Sequence, residues 1–135
     1  MAPITRILDA NANRAREALR VLEDIARFVL DNAGLSERLK ALRHDLRAAL
    51  EALPVDHGAL LAARDTPGDV GTSISTAAEG VRDGVHGLGA ANASRLTESL
   101  RAIEEAAKIL PRHNAGAFES LRYRAYTIEK DLLSL

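Results

Sequence analysis

Residues 10–29 read A-N-A-N-R-A-R-E-A-L-R-V-L-E-D-I-A-R-F-V, and residues 91–110 answer with A-N-A-S-R-L-T-E-S-L-R-A-I-E-E-A-A-K-I-L. The second segment is the first displaced by eighty-one positions. Asn11, Arg14, Glu17, Leu19, Arg20 and Glu23 correspond to Asn92, Arg95, Glu98, Leu100, Arg101 and Glu104, so the recurrence includes polar residues that core packing alone does not require. A further echo follows each segment. Leu39-Lys40-Ala41-Leu42-Arg43-His44 aligns with Phe118-Glu119-Ser120-Leu121-Arg122-Tyr123 at a shift of seventy-nine. A chain duplicated in this way folds as two similar units that bury their apolar stripes against each other, because two copies are too few for a solenoid.

The stripes have helical spacing. From Pro3 to about Asn32 the seam runs Ile4, Ile7, Leu8, Ala15, Ala18, Leu22, Ile25, Val29, which predicts one long helix with Pro3 in its first turn and Asn32-Ala33-Gly34 at its end. Ser36 is placed to cap a second helix carrying Leu39, Leu42, Leu46 and Leu50, and Pro54 stops it near Leu53. Asp56 is placed to cap a short third helix through Leu60 and Leu61. Thr76-Ala77-Ala78-Glu79 has capping-box spacing and predicts a helix to Leu110, frayed or kinked near residues 80–89 by Gly80, Gly84, Gly87 and Gly89. A last helix, capped by Asn114, carries Phe118, Leu121, Ala125, Ile128 and Leu132.

The expectation is an all-α domain over residues 1–135: two related helical hairpins, about 3–53 and 76–135, form a four-helix, bundle-like core. Residues 54–75 supply a short helix and a shaped loop between them. Aromatics at 3% leave the core to aliphatic packing between helices, which agrees with this class.

Composition also bounds the partners. A formal net charge of -1 with acids and bases interleaved disfavours nucleic acid. No apolar run approaches the roughly 20 residues that span a bilayer. Without cysteine there is no thiolate metal site or thiol nucleophile, and a cytoplasmic setting is the expectation. Opposed polar faces on long helices are compatible with a homodimer.

Asn11 falls on the apolar seam of the first helix and Asn92 at the same place in the repeat. A buried amide there either fixes helix register or lines a shared polar pocket. Arg14 and Arg95 flank the two seams one turn beyond each asparagine. They read either as an anion clamp of two guanidinium forks or as surface ion pairs with Glu17 and Glu98. Arg20 and Arg101 point nearly opposite the seam, toward solvated pairs with Asp24 and Glu105. The loop Arg64-Asp65-Thr66-Pro67-Gly68-Asp69-Val70-Gly71-Thr72 joins a guanidinium, two carboxylates and glycines that admit a ligand to the backbone. Its carboxylates suit Mg²⁺ better than Zn²⁺, and an ordinary Pro-Gly turn is the competing reading. His44 follows Arg43 and has Tyr123 as counterpart, whereas the other three histidines show no convergent spacing. No P-loop or Rossmann glycine pattern is present.

Taken together, residues 6–28, L-K-A-L-R-H-D-L at 39–46, R-D-T-P-G-D-V-G-T at 64–72 and L-R-Y-R-A-Y-T-I-E-K at 121–130 resemble a known helical module. It is the monofunctional hydroxymethylpyrimidine phosphate kinase domain found ahead of thiamin phosphate synthase in some bacteria. The resemblance implies ATP- and Mg²⁺-dependent phosphorylation of 4-amino-5-hydroxymethyl-2-methylpyrimidine phosphate, with the synthase as a fused or separate partner. On these positions it implies binding roles for Asn11, Arg14, Arg43, Asn92, Arg95 and Arg122. It implies catalysis by Arg64 and by Asp65 or Asp69, with Asp69 as the Mg²⁺ ligand. Ala12, Ala18 and the pair Ala93-Ser94 depart from the family pattern, so the second repeat is the more eroded. The alternative is a non-catalytic docking, dimerisation or ligand-binding module of the synthase.

Overall fold

The computed structural model describes residues 2–135, and every regular element among them is helical. Helix α1 spans Ala2–Asp24 and passes directly into a π-helical turn at Ile25–Val29. The widened turn is closed by Leu30 N–H donating to the Ile25 carbonyl at 2.9 Å, five residues back. Helix α2 (Ala33–Glu51) returns alongside α1, and the short α3 (His57–Ala63) packs across α1. After the loop come α4 (Gly84–Ala107) and α5 (Ala115–Leu133). The two hairpins pair like on like: α1 packs on α4 and α2 on α5. Asp45 and Arg124, counterparts at the seventy-nine-residue shift, meet across the α2/α5 seam at 2.7 Å.

The predicted stripes form the core. Leu8, Leu19, Leu39, Leu42, Leu46, Leu96, Leu100, Ile103 and Phe118 are all but inaccessible, each contributing about 1.5–3 kcal/mol relative to an exposed side chain. Two expected seam members fall outside it. Ile7 and Val29 are exposed, Val29 because the π turn rotates it off the seam.

Helix ends account for the other differences. Asn32, not Ser36, caps α2, its side chain accepting from Leu35 N–H at 2.9 Å. Asp56 caps α3 as expected by accepting from Gly58 N–H. Thr76 does not start the long helix. It precedes a 3-10 turn at Ala77–Gly80, and α4 begins only at Gly84, whose φ of +65° glycine adopts without strain. Where fraying or a kink was expected near residues 80–89, the helix starts within that stretch and carries Gly84, Gly87 and Gly89 in its first turns, with Gly80 left in the 3-10 turn before it. Gly89, inside α4, allows close approach: an added Cβ would lie 3.2 and 3.3 Å from the Leu132 and Leu133 side chains. Asn114 precedes α5 without a side-chain capping bond and donates instead to the Ala49 carbonyl at 3.0 Å, tying α5 to the end of α2.

Candidate functional site

Helices α1, α2 and α3 enclose a cleft of about 350 Å³ with Leu8, Ala12, Leu50, Leu53 and Leu60 as its apolar part. Around them stand Arg16 and Arg20 from α1, Arg43, His44 and Arg47 from α2, and His57 from α3. Arg16 and Arg20 are four residues apart, as are Arg43 and Arg47, so each helix presents two guanidiniums one turn apart on one face. Only Asp9 and Glu51 oppose them among the lining residues. Such a concentration of forks beside an apolar wall attracts an anionic ligand with an apolar body.

One carboxylate organises two of these arginines. Glu23 Oε1 accepts from Arg43 Nε at 2.6 Å, and its Oε2 accepts from Arg20 Nη1 at 3.0 Å. Arg20 was expected to pair with Asp24 in solvent. It turns to Glu23 because α2 brings Arg43 to that side of α1, and the carboxylate serves both. Arg20 and Arg43 also line an open groove of about 630 Å³ that runs past the π turn to Lys40 and Asn32.

The loop is fixed to α1 by a two-pronged ion pair. Arg64 Nε and Nη2 each donate to an oxygen of Asp9 at 2.8 Å, which raises the Arg64 pKa above its ordinary value. Asp9 is buried, and it lines both the basic cleft and a smaller cavity of about 150 Å³ reaching Asp65 and Asp69. Asp9 was absent from the sequence candidates. Its counterpart is Ala90, so the duplication gave no signal for it. Asp65 and Asp69 are exposed, accepting from Gly68 N–H at 2.9 Å and from Gly71 N–H at 2.8 Å. A Cβ on Gly68 would collide with the Asp65 carboxylate, so glycine is what lets that turn close.

Among the described residues no group of three or more His, Cys, Asp or Glu side chains converges as a metal cage. The donor chemistry of Asp65 and Asp69, hard oxygens on one exposed loop, fits Mg²⁺ completed by phosphate oxygens rather than by protein alone.

The remaining sequence candidates occupy other places. Asn11 is buried, donating to the Ile7 carbonyl at 2.9 Å, and Asn92 donates to the Leu88 carbonyl at 3.0 Å. Both repeats thus bend the amide back one turn onto its own helix. Arg14 is exposed and donates to Asn11 Oδ1 at 3.3 Å, and Arg95 is exposed. None of these four lines the basic cleft. Arg122 is buried, with Nε and Nη2 both on Glu104 Oε1 at 3.2 and 3.1 Å. Burial lowers its pKa, but hydrogen bonds with Glu104 and Tyr126 outweigh that and leave it raised.

The model of the ThiD2 family matches residues 6–131. The chain belongs to that family. Three relatives are each called thiamine-phosphate synthase. The protein of Rhodopirellula baltica is 45% identical over 129 residues, covering 96% of this chain and 34% of the relative. That of Synechocystis sp. is 45% identical over 130 residues, covering 96% and 36%. That of Nostoc punctiforme is 42% identical over 130 residues, covering 96% and 35%. This ThiD2 chain therefore spans about a third of the length of the curated relatives it matches. No solved structure matches it. No helix among its described residues is long and apolar enough to cross a membrane.

Proposed function

We propose that this ThiD2 domain acts in thiamin biosynthesis, transferring the γ-phosphoryl group of ATP to 4-amino-5-hydroxymethyl-2-methylpyrimidine phosphate and giving the diphosphate and ADP. The observation that carries this reading is the basic cleft between α1, α2 and α3, joined through Asp9 to the acidic loop. In the reaction a bond forms between an oxygen of the acceptor phosphate and Pγ, and the bond from Pγ to the β-phosphate oxygen breaks. The acceptor phosphate is largely ionised near neutral pH, its second pKa being about 6, so little proton removal is needed. The obstacle is repulsion between two polyanions, which arginine forks at the junction relieve.

In this reading Arg16, Arg43 and Arg47 bind phosphate oxygens, and the aliphatic wall at Leu50, Leu53 and Leu60 receives the pyrimidine ring. Arg64 fixes the loop that carries Asp65 and Asp69. Those carboxylates would hold Mg²⁺, which supplies charge neutralisation on the phosphates. Asn11 and Asn92 each brace one turn of their own helix, and Arg122 holds the second hairpin together. Incubating the chain with the pyrimidine phosphate and Mg-ATP, with ³¹P NMR detection, tests the reading. Diphosphate is expected, and its loss in Arg43→Gln. Its absence with the unaltered chain, beside an active control kinase, ends the reading.

The second reading, a docking module for the synthase domain, rests on the opposite end of the bundle. There Ile25, Val29, Val85, Leu132 and Leu133 line an apolar cavity of about 230 Å³, with Val29 and Leu135 exposed. Binding of the synthase domain without any diphosphate formation would favour it.

A further inference from the structure

Glu23 is, among the described residues, the one acid that touches two arginines of the cleft, and its position recurs in the other half of the molecule as Glu104. The two copies are built differently. Glu104 and Arg122 keep 3% and 9% of their side-chain surface exposed, whereas Glu23 and Arg43 keep 13% and 30%. Around the first copy lie two adjoining cavities: Arg20 and Arg43 line both, and Glu23 lines the groove. Arg43 commits its Nε to the carboxylate and Arg20 its Nη1, so other N–H groups on both forks remain for a ligand.

We infer that Glu23 is a positioning residue that holds Arg20 and Arg43 side by side as a paired receptor for a diphosphate-type anion lying across the cleft and the groove. The inference rests on the reading of the cleft as a phosphate-ester site and names the residue that organises it. Each carboxylate oxygen takes one guanidinium, so both forks are oriented from a single point. A glutamine there offers one carbonyl and one amide, and its N–H₂ opposes whichever arginine it faces. It keeps one guanidinium and releases the other.

Simple electrostatics and positioning predict opposite signs. Removing a negative charge beside two arginines raises the local positive potential and, if the forks stay in place, strengthens anion binding. If Glu23 orients them, the same change weakens it. The test is calorimetric titration of inorganic pyrophosphate into the chain, Glu23→Gln, Glu23→Asp and Arg43→Gln, with thermal melts alongside. Glu23→Gln is expected to bind pyrophosphate about tenfold more weakly, the low end of what losing the partner that orients a ligating side chain costs at metal sites. Glu23→Asp, which keeps both acceptor oxygens, is expected to recover part of that affinity. Equal or tighter binding by Glu23→Gln overturns the positioning role while leaving the cleft as an anion site. Should Glu23→Gln fail to fold, affinity in Glu23→Asp at or above that of the unaltered chain overturns it equally. No pyrophosphate binding by the unaltered chain, or binding unchanged in Arg43→Gln, overturns the inference together with the reading it rests on.

Discussion

In the first hairpin Glu23 and Arg43 meet at 2.6 Å with the arginine side chain 30% exposed. In the second, Glu104 and Arg122 meet at 3.1 Å with the arginine 9% exposed. The difference traces to the neighbours. Arg122 lies over the Tyr123 ring, 5.1 Å from its centroid, and Tyr126 is among the groups that raise its pKa. The equivalent positions in the first hairpin are His44 and Arg47, which line the cleft rather than roof the arginine. Likewise Arg16 of the cleft has Thr97 as counterpart, and Thr97 is buried with its hydroxyl on the Ala93 carbonyl. Duplication supplied the pair twice, and aromatic cover turned one copy into a strut while basic neighbours kept the other open to a ligand.

The largest test of this contrast removes each arginine. Arg122→Met leaves Glu104 buried with only Lys108 at 3.8 Å, and we expect a loss of about 3 kcal/mol, the low end for a broken buried pair. Arg43→Met, at a half-exposed site, is expected to cost under about 1 kcal/mol. Chemical denaturation of both variants measures the gap, and equal losses would refute the division of labour. Replacing both partners, Glu104→Leu with Arg122→Met, is expected to recover most of the stability, since no uncompensated charge remains. A double variant as unstable as Arg122→Met would show that the loss comes from packing.

A smaller effect is expected at the loop. Arg64→Ala removes the ion pair that ties residues 64–72 to Asp9, so limited proteolysis there should accelerate several-fold while the global melt moves little. The smallest concerns acid pH. Lys108 holds the Glu105 carboxyl below its usual value, by hydrogen bond first and by charge second. A depressed folded pKa contributes stability that is present above the unfolded value and is lost as pH falls through the folded one. Glu105→Gln should therefore flatten the acid limb of the melting profile slightly, by lowering stability a little at neutral pH and leaving the acid end nearly unchanged.

Much of this architecture is legible in the residues. The all-helical class, the hairpins and most of the core follow from the leucine and alanine spacing of the two repeats, because burial of a stripe dictates its period. What escaped were features set by tertiary neighbours. Arg20 points away from its own helix's seam, and only the arrival of α2 turns it into a cleft residue. Asn32 rather than Ser36 caps α2, because its side chain reaches the Leu35 N–H and the helix starts at Ala33. The repeat marks a different set of residues from the cleft. It singled out what the halves share, Asn11 with Asn92 and Arg14 with Arg95, whereas the basic cleft is built largely from what they do not share: Asp9, Arg16, His44 and Arg47.

The repeats are offset by eighty-one residues in α1 and α4 but by seventy-nine in α2 and α5, so the first connection is two residues longer than the second. Part of that surplus is stored at Ile25–Val29, where the helix runs one residue wide. The groove beside Arg20 and Arg43 opens next to that stored slack. Excising a residue there would let the helix regain its ordinary pitch and draw α2 inward, reshaping the channel without altering a single charge.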